Sequence, residues 1–197
     1  MEPNSAALDR REAVKALLAD RGDMLVVSGL GSPTYDVFDA GDNPANFYLW
    51  GAMGGAAMIG LGLALAQPRH PVAVITGDGE QLMGIGSLLT IAAMRPANLS
   101  IVVLDNGHFA ETGMQKSHSS LGARFEVIAR GAGLQSVTEI GELKGIAAFR
   151  HKLREIEGGP HFACLRINSA HVERALPPRD GVFLKNRFRQ HLGFPVT

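Results

Sequence analysis

At 197 residues, 46% hydrophobic and 19% charged, the chain is long enough for one domain with a substantial core and too apolar for intrinsic disorder. Its 19 basic and 19 acidic residues cancel, so no global field favours nucleic acid or an anionic membrane, and neither is expected as a partner. A single cysteine, Cys164, excludes an internal disulfide framework and cysteine-rich metal sites, and fits a reducing cytoplasm.

The first 22 residues are charged and amphipathic, without the apolar core of a signal peptide, and their spacing predicts a helix over 6–19. An apolar strand is expected over 24–28. It closes on Gly29-Leu30-Gly31-Ser32, a permissive turn able to face a ligand. A helical turn over 35–38 and a polar loop over 40–46 precede an apolar, glycine-rich run over 51–66. Its 16 residues fall short of the roughly 20 that span a bilayer, so a buried helix against a sheet is expected.

The β-branched run over 72–76 predicts a strand covered on both faces. A helix over 81–94 follows, stopped by Pro96, and then a buried strand over 99–104. Residues 106–121 form a polar loop too long to be a plain connector, and loops of that length inside compact domains are usually functional. A helix over 125–131, a strand over 135–138, a helix over 142–156, a strand over 162–167 and a basic helix over 182–192 complete the chain. Strand and helix alternate, so the expected fold is α/β, a doubly wound parallel sheet with helices on both faces. One domain is expected over 1–197, with a C-terminal tail and helix over 170–197.

Ligands of such sheets bind beyond the carboxyl ends of the strands, where the loops after Ser28, Thr76 and Leu104 fall. Gly77-Asp78-Gly79 ends one strand and Asp105-Asn106 ends the next, so two hard oxygen donors converge although 28 positions separate Asp78 from Asn106. Beside a helix N-terminus, such donors suit a hydrated Mg²⁺ carrying a diphosphate. Gly-Asp-Gly alone is a weak signal; the Asp-Asn pair strengthens it. A nicotinamide or flavin Rossmann domain is disfavoured, because no G-x-G-x-x-G follows the first strand. Met53 alone reads as a helix-core filler. His70, His151, His161, His171 and His191 show no ligand spacing, Cys164 reads as inert packing, and the basic residues Arg174, Arg179, Lys185, Arg187 and Arg189 read as a solvated face.

Gly77-Asp78-Gly79, some 25 intervening residues and a strand ending in Asn106 resemble the magnesium and cofactor motif of thiamine diphosphate enzymes. The segment 46–54, NFYLWGAMG, resembles the part of these enzymes that holds the aminopyrimidine. Asp105-Asn106-Gly107 followed by Thr112-Gly113-Met114-Gln115-Lys116-Ser117-His118 is similar to sulfopyruvate and phosphonopyruvate decarboxylases. The likeness runs over about 11–192 and corresponds to the diphosphate-binding (β) subunit of a two-subunit decarboxylase.

The resemblance implies that Asp78, Asn106 and the backbone carbonyl of His108 bind Mg²⁺. It implies that Gly77, Gly79, Glu80, Ser32 and Phe109 contact thiamine diphosphate. Glu80 departs from the small residue common at its position, so its carboxylate should turn away from the phosphates or pair with a base. Gly51 matches the glycine whose carbonyl accepts from the cofactor's 4′-amino group, and Met53 the apolar wedge between the cofactor's rings. Glu111 and Thr112 match residues near the reacting carbon, while His118 and Lys116 could orient the substrate or move a proton; a solvated polar loop is the alternative. The activating Glu of this family lies on a pyrimidine-binding domain, so a partner (α) subunit and a hetero-oligomer are implied. The substrate implied is a small anionic 2-oxo acid, sulfopyruvate ahead of phosphonopyruvate. An acetolactate-synthase-like carboligase and a non-catalytic cofactor-binding module are the alternatives.

Overall fold

The computed structural model describes residues 7–196. Its centre is a six-stranded, wholly parallel sheet made of β1 (Leu25–Ser28), β2 (Asn46–Tyr48), β3 (Val72–Gly77), β4 (Leu99–Asp105), β7 (Ser136–Ile140) and β8 (His161–Arg166), in the order β2-β1-β3-β4-β8-β7. Two short strands, β5 (His108–Phe109) and β6 (Gln115–Lys116), form a separate antiparallel pair.

The strand period of two sorts side chains into two cores. Val72, Val74, Ile101, Val103, Phe162 and Cys164 face one side, with α3 (Ala56–Ala66), α5 (Ser87–Met94) and α6 (Phe125–Gly131). Ala73, Ile75, Val102, Leu104, Ala163 and Leu165 face the other, with α1 (Arg10–Leu18), α2 (Ser32–Asp39) and α7 (Leu143–Leu153). The doubly wound expectation therefore holds. Gly60 shows why α3 is glycine-rich: a Cβ there would lie 2.2 Å from Val74 Cγ2, so only glycine lets the helix approach β3 this closely.

Several boundaries differ from those expected. Asp9 caps α1 by accepting the N–H groups of Arg11 and Glu12, so the helix begins at Arg10; Ala6 lies outside the described residues. The helix expected over 81–94 is two helices, α4 (Asp78–Met83) and α5, broken at Gly84-Ile85-Gly86. The helix expected from the start of the 51–66 run begins only at Ala56, because Ala52 and Gly54 take positive φ angles of 58° and 89°. β2 has no counterpart in the sequence reading. The closing helix α8 (Gly181–His191) packs on that edge strand, with Phe188 against Phe47 at 5.5 Å between ring centres.

The topology reverses between β1 and β3: the chain passes from β1 outward to β2, then returns to the far side of β1 to lay down β3 and β4. Ligand crevices of open α/β sheets form at such a point, beyond the carboxyl ends of the strands. Here that edge carries Gly29–Ser32 after β1, Gly77–Glu80 at the end of β3 and Asn106 after β4.

Candidate cofactor-binding site

One cavity of about 160 Å³ lies on this edge. Ser32 comes to it from the start of α2, Gly77, Asp78, Gly79 and Glu80 from the β3–α4 turn, and Asn106, Phe109, Glu111 and Thr112 from the long loop. Met53 reaches in from the turn before α3 and is 41% exposed. The register Gly77↔Leu104 between β3 and β4 brings Asp78 and Asn106 to adjoining strand ends. Of the residues expected at the site, Gly51 and His118 are exposed and outside the cavity lining. The His108 side chain faces an adjoining surface with Arg166 and Asn168, its Nδ1 2.8 Å from the Asn106 carbonyl oxygen.

Asp78 is 3% exposed, and burial first, then the nearby Asp105 carboxylate, pushes its pKa up to about 6 against the donation it receives from Ser117. An ionised carboxylate so enclosed is under-compensated, and a divalent cation would supply the missing charge. The Asn106 side-chain oxygen accepts from the His108 N–H at 2.9 Å and keeps a lone pair, as an amide oxygen has two. Asp78 and Asn106 therefore offer a carboxylate and an amide oxygen, donors suited to a hard cation. Among the described residues no group of three or more His, Cys, Asp or Glu side chains offers a competing metal site.

Glu80 is turned under the β1–α2 loop. Its Oε2 accepts from the Leu30 N–H at 2.8 Å and the Thr76 hydroxyl at 3.0 Å, and burial raises its pKa. Glu80 lines the cavity, and the pairing with a base that was one of its two expected options is absent among the described residues.

The loop over 106–121 departs most from its expected form. It folds back as the β5–β6 hairpin, with one 3₁₀ turn (Ala110–Thr112) between the strands and a second (His118–Leu121) after them. Ser117, fully buried, donates its hydroxyl to Asp78 Oδ2. Ser119 sits 3.4 Å from that oxygen and donates to Asp105 Oδ1 at 2.6 Å. Asp105 also pairs with Arg166 and accepts the Gly107 N–H at 3.0 Å. Two serines thus tie the returning end of the loop to two carboxylates on adjacent strands. Neither serine nor Arg166 was singled out from the sequence; Ser-His-Ser-Ser carries no spacing that marks it. We expect Ser117→Ala to lower stability by about 1–3 kcal/mol, because a buried carboxylate loses a donor. Urea unfolding checks this, and an unchanged midpoint would show that the loop is not anchored at Asp78.

The C-terminal segment is docked rather than solvated. Arg174 pairs with Glu111 at 2.9 Å, Arg179 lies 4.9 Å over the Trp50 ring, Trp50 Nε1 donates to the Pro178 carbonyl at 2.8 Å, and Arg187 pairs with Asp42 at 2.8 Å. The solvated-face reading is overturned for Arg187, whose side chain is 15% exposed, while Arg174 and Arg179 make their contacts and remain exposed. Arginine stacks on aromatic rings and forms fork-like pairs, which a count of charges does not reveal.

The sequence profile described as "Thiamine pyrophosphate enzyme, C-terminal TPP binding domain" matches residues 34–166, two thirds of the chain. The chain belongs to this family. It is similar to the sulfopyruvate decarboxylase subunit beta of Methanocaldococcus jannaschii, 41% identical over 66% of this chain and 69% of that protein. The protein of the same name from Methanothermobacter thermautotrophicus is 45% identical over 58% of this chain and 61% of its own length. The phosphonopyruvate decarboxylase of Streptomyces hygroscopicus is 42% identical over 72% of this chain, which spans only 35% of that longer protein. A solved thiamine diphosphate-dependent 4-hydroxybenzoylformate decarboxylase from Rhodococcus jostii superposes with a TM-score of 0.69 over 83% of this chain and 33% of its own, at 21% identity, and supports the fold alone.

As a thiamine pyrophosphate-binding domain, the chain has the fold its family requires, and thiamine diphosphate is its cofactor. Ser32, α1 and everything after Arg166 lie outside the matched stretch; Ser32 was expected at the site from the sequence, whereas Arg10 of α1 and Ile167 join the cavity lining only in three dimensions.

Proposed function

We propose that this chain is the diphosphate- and magnesium-binding subunit of a thiamine diphosphate-dependent decarboxylase acting on a small anionic 2-oxo acid, sulfopyruvate first and phosphonopyruvate second. The observation that carries the reading is the meeting of Asp78 and Asn106 in one cavity with Ser32, Gly79 and Met53. The names of the relatives supply the substrate order.

In this reading Asp78, the Asn106 side-chain oxygen and the His108 carbonyl would hold Mg²⁺. The Gly79 and Glu80 N–H groups and the Ser32 hydroxyl would meet the diphosphate. Gly77 gives the turn its approach, Phe109 closes over Gly79, and Met53 with the Gly51 carbonyl would orient the two rings. Glu111 and Thr112 line the cavity wall beside the reacting end. His118, exposed beyond the wall, would act only on a substrate shared with a second chain. Bound thiamine diphosphate supplies the carbon nucleophile and the electron sink for loss of CO₂.

A partner chain is part of the proposal. Activation of the aminopyrimidine is assigned to a Glu of a pyrimidine-binding subunit, as the resemblance to thiamine diphosphate enzymes implies. Helices α3, α4 and α5 leave Met58, Met83, Leu89 and Met94 exposed by 42–67%, apolar surface that a hetero-oligomer would cover. Among the described residues no helix is long and apolar enough to cross a membrane, and a cytoplasmic single-domain chain is proposed.

The test is product analysis with and without the partner subunit. We expect the complex to convert sulfopyruvate to sulfoacetaldehyde and CO₂, and the isolated chain to be at least about 1,000-fold slower, since general-acid assistance alone contributes roughly 10²–10⁴. An isolated chain as fast as the complex would sink the two-subunit reading. Carboligation products from paired 2-oxo acids would sink the decarboxylase reading in favour of a ligase.

A further inference from the structure

Arg10, the first residue of α1, is only 7% exposed, and its buried Nε has no hydrogen-bond acceptor among the described residues. Its Nε lies 3.3 Å from Asp36 Oδ1, a charge contact without an aligned hydrogen bond. Arg11 beside it is fully engaged: Nε on Asp36 Oδ1 at 2.7 Å, Nη1 on Asp39 at 2.5 Å and Nη2 on the Glu173 carbonyl at 2.5 Å. The single carboxylate of Asp36 thus sits between two guanidinium groups, and Arg11 holds the aligned bond.

A guanidinium cannot shed its charge, so a buried one with an idle Nε donor calls for an anion. Arg10 lines the cavity of Ser32, Asp78, Gly79 and Asn106, and also a neighbouring one of about 180 Å³ with Ser169, His171 and Arg174. Arg174 is already paired with Glu111, which leaves Arg10 as the buried cation on the shared wall. The proposed metal ligands Asp78 and Asn106 line the same first cavity. Among the residues lining the first cavity Arg10 is the one cation, beside the carboxylates of Asp36, Asp78, Glu80 and Glu111, so it is the side chain there able to meet a phosphate by charge.

We propose that Arg10, on the wall shared by the two cavities, receives the terminal phosphate of the bound cofactor. The proposal rests on the reading that a diphosphate occupies this cavity. The planar fork of arginine matches two oxygens of one phosphate, which a lysine cannot reproduce. The same oxyanion chemistry is offered by the sulfonate or phosphonate end of a substrate entering the second cavity.

Calorimetry with Mg²⁺ present separates these sources. The ligands are thiamine diphosphate and thiamine monophosphate on the complex with the partner subunit, and inorganic pyrophosphate on the full chain alone. For Arg10→Gln we expect affinity for thiamine diphosphate and pyrophosphate to fall about 10–100-fold, the worth of one charge-assisted pair. Affinity for thiamine monophosphate should change less than about 3-fold, and the KM for the 2-oxo acid at saturating cofactor should be unchanged. Arg10→Lys should recover only part of the loss, and it carries the test if the Gln variant does not fold. Unchanged diphosphate affinity with a raised KM would overturn the assignment in favour of the substrate's acid group. Unchanged affinity and KM with a lowered melting temperature would reduce Arg10 to a structural partner of Asp36. If the wild-type protein binds neither pyrophosphate nor cofactor, the diphosphate site itself is wrong, a failure distinct from either of these.

Discussion

Asp78→Asn is expected to weaken magnesium-dependent binding of thiamine diphosphate by about 100-fold or more while leaving the chain folded. The substitution is isosteric, and the amide oxygen still accepts from Ser117, so the tie between α4 and the loop survives. What disappears is the charge. Asp78 is 3% exposed, and burial lifts its pKa to about 6, so the empty site tolerates the carboxylate rather than gaining from it. A neutral amide removes that burden, so the metal-free melting temperature should not fall. The bound state loses its one anionic ligand, and a hydrogen-bonded or coordinated charge is worth about 1.5–3 kcal/mol, more when desolvated. Titration calorimetry with Mg²⁺ and cofactor, paired with thermal melts, reads both halves. An Asn variant that keeps wild-type magnesium affinity would remove Asp78 from the metal site, and a variant that melts far lower would make its role structural.

The part of the site that lies on strand ends was legible because the rules involved are local. β-branched runs announce β3 and β4, the parallel alternation sends both strands the same way, and the register then carries Asp78 and Asn106 to one edge without further information. Three features resisted reading, each for a physical reason. β2 is three residues long and earns its place by pairing with β1 and packing under Phe188 of a helix 140 positions away, so nothing in Asn46-Phe47-Tyr48 declares a strand. Ser117 and Ser119 matter because two buried carboxylates need donors, a demand that exists only once the fold has buried them. Arg10 looked like one more charge on an amphipathic helix until the cavity on its other side was visible. In each case a long-range neighbour, not the local pattern, gives the residue its function.

The break in the helix expected over 81–94 leads to the second large effect. Gly84 ends α4, and a Cβ placed on it would lie 2.0 Å from the Gly54 carbonyl oxygen and 2.9 Å from the carbonyl carbon. Both are backbone atoms of the turn that presents Met53 to the cavity, and that turn is already committed by the positive φ of Ala52 and Gly54. Nothing in the contact is a flexible side-chain end, so Gly84→Ala must push the turn away from α4. Gly86, two residues on, is the internal control. It is helical in φ and ψ, and a Cβ there meets nothing within 4 Å.

We therefore expect Gly84→Ala to destabilise the chain by about 1–3 kcal/mol, the usual penalty for overpacking, or roughly 3–10 °C in melting temperature for a domain of this size. In the complex its turnover should fall by about 100-fold, as a displacement of order 1 Å can do at a positioning group. Gly86→Ala should be neutral, or more stable by about 0.4–1 kcal/mol through the lost freedom of the unfolded chain. Binding of Mg²⁺ and pyrophosphate to the Gly84 variant is the deciding readout. If the turn carries only the ring-orienting wedge, that binding stays within a few-fold of wild type while turnover collapses. If both fail together, the 84–54 contact supports the Asp78 turn as well, and Met53 cannot be assigned a separate part.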